Sequence, residues 1–180
     1  MLTVKVVVIG LPNSGKTSFV EAIPHGGNAP SPDKPSGLDR AVDFKRWSVD
    51  AQLRVQFYGI MGQRSLEFTW DTMCKGLSGA IVVVDSTDSE ALPAAQHIIE
   101  FLSEHYTVPI VVAANKQDAE HPLSPEDLRV RLGAKEGIPI VPCVATKWAS
   151  VKQVLLVLLY ALRGQLEHPG GGTARFKVPR

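Results

Sequence analysis

The chain has 180 residues, the length of one ordinary domain, and its 44% apolar and 21% charged residues are typical of a soluble globular protein. Nineteen basic residues against eighteen acidic ones leave a net charge of +1, so charge gives no reason to expect binding to nucleic acid or to an anionic membrane. Cys74 and Cys143 are too few for a disulfide framework and neither lies in a Cys/His cluster, so we expect two buried thiols in a reducing cytoplasm.

The two ends of the chain carry none of the common export or lipidation signals. The N-terminal segment lacks a signal-peptide pattern, and Leu2 stands where myristoylation requires glycine. The C-terminal FKVPR contains no prenylation box, and the most apolar stretch, 154–162, is far shorter than the about 20 residues that a membrane-spanning helix needs. We therefore expect a cytoplasmic protein without a lipid anchor.

Short β-branched runs alternate with helical segments along the chain. The runs at 4–9, 80–84, 110–114 and 138–141 are nearly all apolar, which predicts strands of a parallel sheet buried on both faces. Residues 44–49 and 53–58 flank an Asp50-Ala51 turn, and 53–58 alternates partly, which predicts an antiparallel hairpin with one edge strand. The order predicts an α/β three-layer sandwich around a six-stranded, mostly parallel sheet.

Two helices are indicated by their capping residues. Ser124 precedes Pro125 and two acidic residues, and Gly133 closes the segment, which predicts a helix between them. Ser150 with Gln153 three residues later resembles a capping box and predicts a last helix over 151–166. That helix is apolar nearly all round, so we expect it to pack on the sheet, with a partner-binding face as the alternative.

Two segments are rich in loop-forming residues. Residues 24–39 contain seven Gly or Pro, and so long a loop inside a domain is usually functional or mobile. The end of the chain is Gly-rich and then basic. We predict one domain over 1–168 and a flexible basic tail over 169–180.

A phosphate-binding loop is the strongest motif in the sequence. Residues 10–17 fit G-x-x-x-x-G-K-[ST], after a predicted strand and before a predicted helix. Gly10 and Gly15 let backbone N–H groups surround a phosphate, Lys16 adds a positive charge, and the Thr17 hydroxyl is a ligand for Mg²⁺. The motif predicts a P-loop NTPase fold with nucleotide contacts from Asn13, Ser14, Gly15, Lys16, Thr17 and Ser18.

A second motif identifies the base. Asn115-Lys116-Gln117-Asp118 directly follows a predicted strand. A carboxylate at Asp118 can accept from the N1 and N2 hydrogens of guanine, a donor pair that adenine lacks, while the Lys116 stem lies on the purine. Asn115 is expected to tie this segment to the phosphate loop. A small-molecule kinase would share the phosphate loop but would have no use for 115–118.

From 4 to about 166 the chain resembles the Ras-superfamily small GTPases. Residues 57–64 (FYGIMGQR) are similar to the D-x-x-G-Q switch II motif, and 142–146 (PCVAT) to the fifth motif, whose backbone amides contact the guanine carbonyl. The resemblance adds Gly62, Val144, Ala145 and Thr146 to the expected nucleotide contacts. Three features are similar to those of bacterial members, the MglA-like group and the GTPases encoded beside roadblock-domain proteins. They are the phrases F-Y-G-x-x-G-Q-R and S-V-K-Q-V-L and the short N-terminus.

The chain departs from the family pattern at two positions. The switch II aspartate, which holds Mg²⁺ through water, falls on Gly59, and the switch I threonine falls on Asp39, with Ser36 the nearest hydroxyl. We expect Asp39 to give its carboxylate to the metal beside Thr17. Gln63 is retained where the family orients the attacking water and is the expected catalytic residue, with Arg64 as the alternative.

The resemblance implies a switch that binds GDP and GTP with Mg²⁺ and hydrolyses GTP slowly. Its implied partners are a GTPase-activating protein, of which a roadblock/longin protein is the best candidate, and an effector that reads 24–43 and 59–74. The departures at Gly59 and Asp39 leave a second interpretation open, a nucleotide-binding scaffold with little or no hydrolysis.

Overall fold

A computed structural model describes residues 1–24, 42–62, 70 and 72–167, but not the side chains of residues 166 and 167. Its centre is a six-stranded sheet in the order β2-β3-β1-β4-β5-β6. β2 pairs with β3 in antiparallel fashion, and the other pairs are parallel. This architecture confirms the predicted fold class.

The strands are β1 Leu2–Gly10, β2 Asp43–Ser48, β3 Leu53–Met61, β4 Gly79–Asp85, β5 Ile110–Asn115 and β6 Ile140–Pro142. The helices are α1 Lys16–Ala22, α2 Leu92–His105, α3 Pro125–Leu132 and α4 Trp148–Glu167.

Two apolar layers cover the two faces of the sheet. Alternate residues of β1 point to opposite faces, so Val6 and Val8 join one cluster while Val7 and Ile9 join the other. α1 and α4 supply the first layer, and α2 and α3 supply the second. Burial on both faces explains why β1, β4 and β5 are nearly continuous apolar runs. α4 packs on the sheet as expected, and its fully buried side chains are Val151, Val154, Leu155 and Leu158.

The capping residues predicted one helix correctly and the start of another incorrectly. Ser124 Oγ accepts from the Asp127 N–H at 3.1 Å, and Gly133 ends α3 with a φ of 56°. The last helix begins at Trp148 rather than Val151, because Ser150 Oγ accepts from the Val144 N–H in the preceding loop and not from its own helix. Ser150 thus stabilises a loop contact and does not cap α4.

The strand predictions need small corrections at their ends. β6 is Ile140–Pro142 rather than 138–141, because the Ile138 N–H donates to the Lys135 carbonyl in a turn and Pro139 has no N–H to give to a ladder. The 24–39 segment beyond Pro24 and the 169–180 tail lie outside the described residues, so the domain boundary stays a prediction. Within the described ranges, no helix is both long and apolar enough to cross a membrane.

The β2–β3 hairpin sets the register that matters most for the site. Its turn is held by Asp50 Oδ1, which accepts from the N–H groups of Gln52 and Leu53 at 2.6 and 2.8 Å. The resulting pairing places Asp43, the first residue of β2, directly opposite Gly59 near the end of β3. The carboxyl ends of β1, β3, β4 and β5 lie at one edge of the sheet, where the sequence motifs meet.

Candidate functional site

The phosphate loop, residues 10–17, joins the end of β1 to the start of α1. Its backbone turns through two left-handed residues, Asn13 with φ 65° and Gly15 with φ 92°. A side chain on Gly15 would collide with the Asn115 amide, and one on Gly10 would collide with the Ser14 hydroxyl. Both glycines are therefore required by close packing of the loop. Asn13 and Thr17 are exposed on the loop, and Ser18 is half-buried on α1.

Polar groups of this loop point to an anionic ligand. Lys16 is buried, with 6% of its surface exposed, although a buried ammonium is stable only beside a negative charge. Ser14 Oγ is buried and has no hydrogen-bond partner among the residues that the structure describes. A buried cation and an unpaired hydroxyl in one tight turn fit the phosphates of a nucleotide.

Asp43 provides the negative charge beside Lys16. Its Oδ2 forms a short ion pair with Lys16 Nζ and accepts from Thr17 Oγ1 at 3.1 Å. Asp43 therefore touches the two phosphate-loop side chains that the sequence assigns to phosphate and metal. Sequence reasoning missed this residue and placed the second metal ligand at Asp39, which lies outside the described residues.

One buried amide ties three loops together. Asn115 Nδ2 donates to the Ser14 carbonyl at 2.8 Å, and Asn115 Oδ1 accepts from the Ala145 N–H at 2.8 Å. The first bond confirms the predicted tie between 115–118 and the phosphate loop. The second bond extends it to the fifth motif, so one side chain joins all three motifs at this edge.

Lys116 and Asp118 lie at the surface of the same edge, and Lys116 is held there by an ion pair. Lys116 has φ 64°, and its Nζ donates to Asp85 Oδ2 at 2.5 Å. Burial raises the pKa of Asp85, but hydrogen bonds from Lys116 and Thr87 outweigh burial and keep that pKa below its usual value. Asp85 therefore stays ionised and positions Lys116, while Asp118 is exposed in the following turn.

Three backbone amides of the fifth motif were predicted to contact guanine, and two of them donate hydrogen bonds within the protein. The Val144 N–H donates to Ser150 Oγ at 2.8 Å and the Ala145 N–H donates to Asn115, whereas Thr146 is exposed. The predicted guanine contacts at 144–146 stay predictions. Cys74 and Cys143 are both buried, as expected, and burial raises the pKa of Cys143 to about 11, so this thiol stays protonated near neutral pH.

The end of β3 leads into the predicted switch II. The Gly62 N–H donates to the Gly10 carbonyl at 2.9 Å, and a side chain on Gly62 would press against Ile98 and Ile9. Trp70 is fully buried and its Nε1–H donates to the Met61 carbonyl, so it is a packing residue and not part of a partner surface. Gln63 and Arg64 lie outside the described residues.

The oxygen groups of this edge suit Mg²⁺. Within the described part of the chain, no group of three or more His, Cys, Asp or Glu side chains could hold a metal by itself. Thr17 and Asp43 are hard oxygen donors 3.1 Å apart beside the phosphate loop. Mg²⁺ is usually held by one or two protein oxygens together with phosphates and water, which fits this pair.

Comparison with known proteins identifies the family. The sequence pattern of the ADP-ribosylation factor family matches residues 2–161. The chain belongs to the ADP-ribosylation factor family. This places it within the small GTPases of the Ras superfamily, as the motifs predicted.

Individual relatives in the ADP-ribosylation factor family agree with this placement. The ADP-ribosylation factor-like protein 4D of Mus musculus is 34% identical over 144 residues, covering 73% of this chain and 66% of the relative. The ADP-ribosylation factor-related protein 1 of Bos taurus is 36% identical over 129 residues, covering 69% of this chain and 64% of the relative. The match thus spans just under two thirds of these relatives' lengths. Both are eukaryotic, and the narrower bacterial, MglA-like placement stays a prediction.

A solved structure supports the fold independently. The Arl6 BBS3 small GTPase from Trypanosoma brucei, with bound nucleotide analogue GppNp, aligns with a TM-score of 0.74 at 20% sequence identity. The alignment covers 91% of this chain and 99% of that structure. At this identity the likeness concerns the fold alone.

Proposed function

We propose that this Arf-family protein is a guanine-nucleotide switch that binds GDP and GTP with Mg²⁺ and slowly hydrolyses GTP. The observation that carries the proposal is the pair of hydrogen bonds made by Asn115. One amide joins the phosphate loop to the base-reading segment and the fifth motif, so phosphates and guanine would bind to a single preformed edge.

Each part of the nucleotide has a group that suits it. Lys16 and the N–H groups of the phosphate loop would bind the phosphates, and Asp118 would accept from the guanine N1 and N2 hydrogens. Lys116 is held against Asp85, which fixes its stem at the same edge. Bound Mg²⁺, held by Thr17, would neutralise charge that develops on the phosphates.

The switching part of the proposal rests on Gly62. Its N–H donates to the Gly10 carbonyl, so it must leave this partner before it can donate to a phosphate oxygen. Such an exchange would move the start of 59–74 with the nucleotide, which is how an order–disorder switch transmits its state. An effector would then bind 24–43 and 59–74 in the GTP form.

Hydrolysis separates a switch from a nucleotide-binding scaffold. We expect single-turnover GTP hydrolysis by the wild type to be slow but measurable, and Gln63→Leu to slow it by roughly tenfold or more, because this side chain orients the attacking water. GTP affinity should stay unchanged, since the residue acts in the transition state. Absence of any turnover, alone or with candidate activators, would favour the scaffold.

We propose a GTPase-activating protein of the roadblock/longin type as a partner. Gly59 and the F-Y-G-x-x-G-Q-R phrase support this narrower, MglA-like placement, because bacterial members of that type also lack the switch II aspartate. Purified roadblock-domain proteins should accelerate single-turnover hydrolysis, whereas activators of eukaryotic Arf-like proteins should not. The reverse result would contradict the bacterial placement.

A cytoplasmic location belongs to the same proposal. The two buried cysteines do not form a disulfide with each other, and disulfides are rare in cytoplasmic proteins. Cell fractionation that recovers the protein with the membrane pellet would contradict it.

A further inference from the structure

We propose that Asp43 supplies the metal-site carboxylate that Gly59 lacks, so that the Mg²⁺ site is completed from β2 instead of β3. This inference rests on the proposed function, because it concerns the metal bound with the nucleotide. It assigns to Asp43 the role of positioning the hydrated Mg²⁺, a role that no motif in the sequence indicates.

The first argument is position. In the resemblance to small GTPases, the switch II aspartate falls on Gly59, which has no side chain. Asp43 lies directly opposite Gly59 in the β2–β3 register. A Cβ placed on Gly59 would lie 3.0 Å from Asp43 Cβ and 3.2 Å from Asp43 Oδ2. The carboxylate of Asp43 thus occupies the space into which a side chain at Gly59 would extend.

The second argument is contact with the metal ligand. Thr17 Oγ1, the predicted Mg²⁺ ligand of the phosphate loop, donates to Asp43 Oδ2 at 3.1 Å. A carboxylate this close to a ligand hydroxyl can accept hydrogen bonds from water molecules on the same cation. Asp43 is also accessible, since 32% of its side chain is exposed, so its oxygens are not sealed from water or metal.

The third argument is charge. Asp43 forms an ion pair with Lys16, whose positive charge is the one that nucleotide phosphates need. Phosphates on Lys16 would therefore compete with Asp43 for the lysine, and a bound cation would give the carboxylate a new partner. Mg²⁺ should consequently favour nucleotide binding more strongly with Asp43 than without it.

The experiment measures GDP affinity and GDP dissociation by calorimetry and fluorescence, across a Mg²⁺ titration and in excess chelator. Asp43→Asn removes the charge but keeps the size. It should weaken the apparent Mg²⁺ affinity of the GDP complex by about 10- to 100-fold. In excess chelator, its GDP affinity should equal or exceed that of the wild type, because the competitor for Lys16 is weakened.

Two further variants control this result. Asp50→Asn makes the same charge change at the exposed turn of the same hairpin and should leave Mg²⁺ dependence unchanged. The double variant Asp43→Gly with Gly59→Asp moves the carboxylate across the strand pair, and it should restore much of the lost Mg²⁺ dependence. If thermal unfolding shows that Asp43→Asn does not fold, this double variant tests the inference in its place.

The outcomes separate the inference from the proposed function. If Asp43→Asn binds GDP with the Mg²⁺ dependence of the wild type, the inference is wrong and the proposed function stands. If Asp43→Asn weakens GDP binding equally with and without Mg²⁺, Asp43 is only structural and the inference is also wrong. If the wild type binds no guanine nucleotide under any condition, the proposed function fails and the inference fails with it.

Discussion

The two halves of the proposed nucleotide site differ in how closely they follow the family pattern. The guanine half, which comprises 115–118 and 142–146, keeps its motifs, and Asn115 bonds to both neighbouring loops. The metal half, which comprises Thr17, Asp43 and Gly59, lacks the expected aspartate and carries a carboxylate on the adjacent strand. One half keeps the family pattern and the other departs from it.

Physical chemistry explains why the two halves tolerate change differently. Reading guanine requires donors and acceptors at fixed positions, because a misplaced group leaves a buried polar atom unpaired. A hydrated Mg²⁺ needs only hard oxygens within reach of its water molecules. A carboxylate can therefore move from one strand to its neighbour without loss of the metal, whereas 115–118 cannot be moved.

The largest effect should come from Lys16→Ala, which removes the positive charge that the nucleotide phosphates need. We expect GDP affinity to fall by about 100-fold or more, because a charge-assisted contact to phosphate is lost in a buried site. Calorimetry with GDP measures the loss, and thermal unfolding should show that the fold persists, since Asp43 is already 32% exposed beside Lys16 and would not be left as a buried, unpaired charge. Unchanged GDP affinity would rule out the phosphate-loop assignment.

Asp118→Asn tests the guanine half alone and should have the next largest effect. We expect GDP affinity to fall by about tenfold or more, because the amide cannot accept from both guanine hydrogens, while xanthine nucleotides gain affinity from the amide donor. The residue is exposed in a turn, so the fold should be unaffected. Competition among GTP, ATP and XTP measures this, and a wild type that prefers ATP would overturn the base assignment.

Local signals predicted most of the edge. The phosphate loop and the Ser124–Gly133 helix each depend on residues close in sequence, and their backbone geometry follows from those residues. The tie from Asn115 to Ser14 joins residues 101 positions apart, and the 115–118 motif predicted it. The predicted start of α4 was wrong because the Ser150 hydroxyl accepts a hydrogen bond from the Val144 N–H in the preceding loop. A capping pattern does not reveal this partner.

Asp43 was missed although its position could be derived. The predicted strands 44–49 and 53–58 flank one turn, and if 49 pairs with 53, then 43 must pair with 59, as the structure has it. The register alone would have placed a carboxylate opposite Gly59. The close approach of Asp43 to Lys16 and Thr17 could not be predicted from the sequence, because it depends on how α1 packs against β2 and β3.

The smallest effect is expected from Gly59→Asp in the wild-type background, and it sharpens the comparison most. Gly59 does not have a positive φ, so the backbone accepts a side chain there. The new Cβ would lie 3.0 Å from Asp43 Cβ and 3.3 Å from Val20 Cγ2, closer than side chains normally pack. Crowding should lower the free energy of unfolding by about 1–2 kcal/mol.

Charge adds to this crowding and can be separated from it. Gly59→Ala introduces the same Cβ without a carboxylate and serves as the matched control. Like charges on directly opposed strand residues cost roughly 0.2–1 kcal/mol, so Gly59→Asp should be less stable than Gly59→Ala by about that amount, and added salt should reduce the difference. Because Asp43 already serves the metal, the Mg²⁺ dependence of GDP release should rise far less in Gly59→Asp than it falls in Asp43→Asn. A large gain in Mg²⁺ dependence would mean that the site lacks a carboxylate and that Asp43 does not supply one.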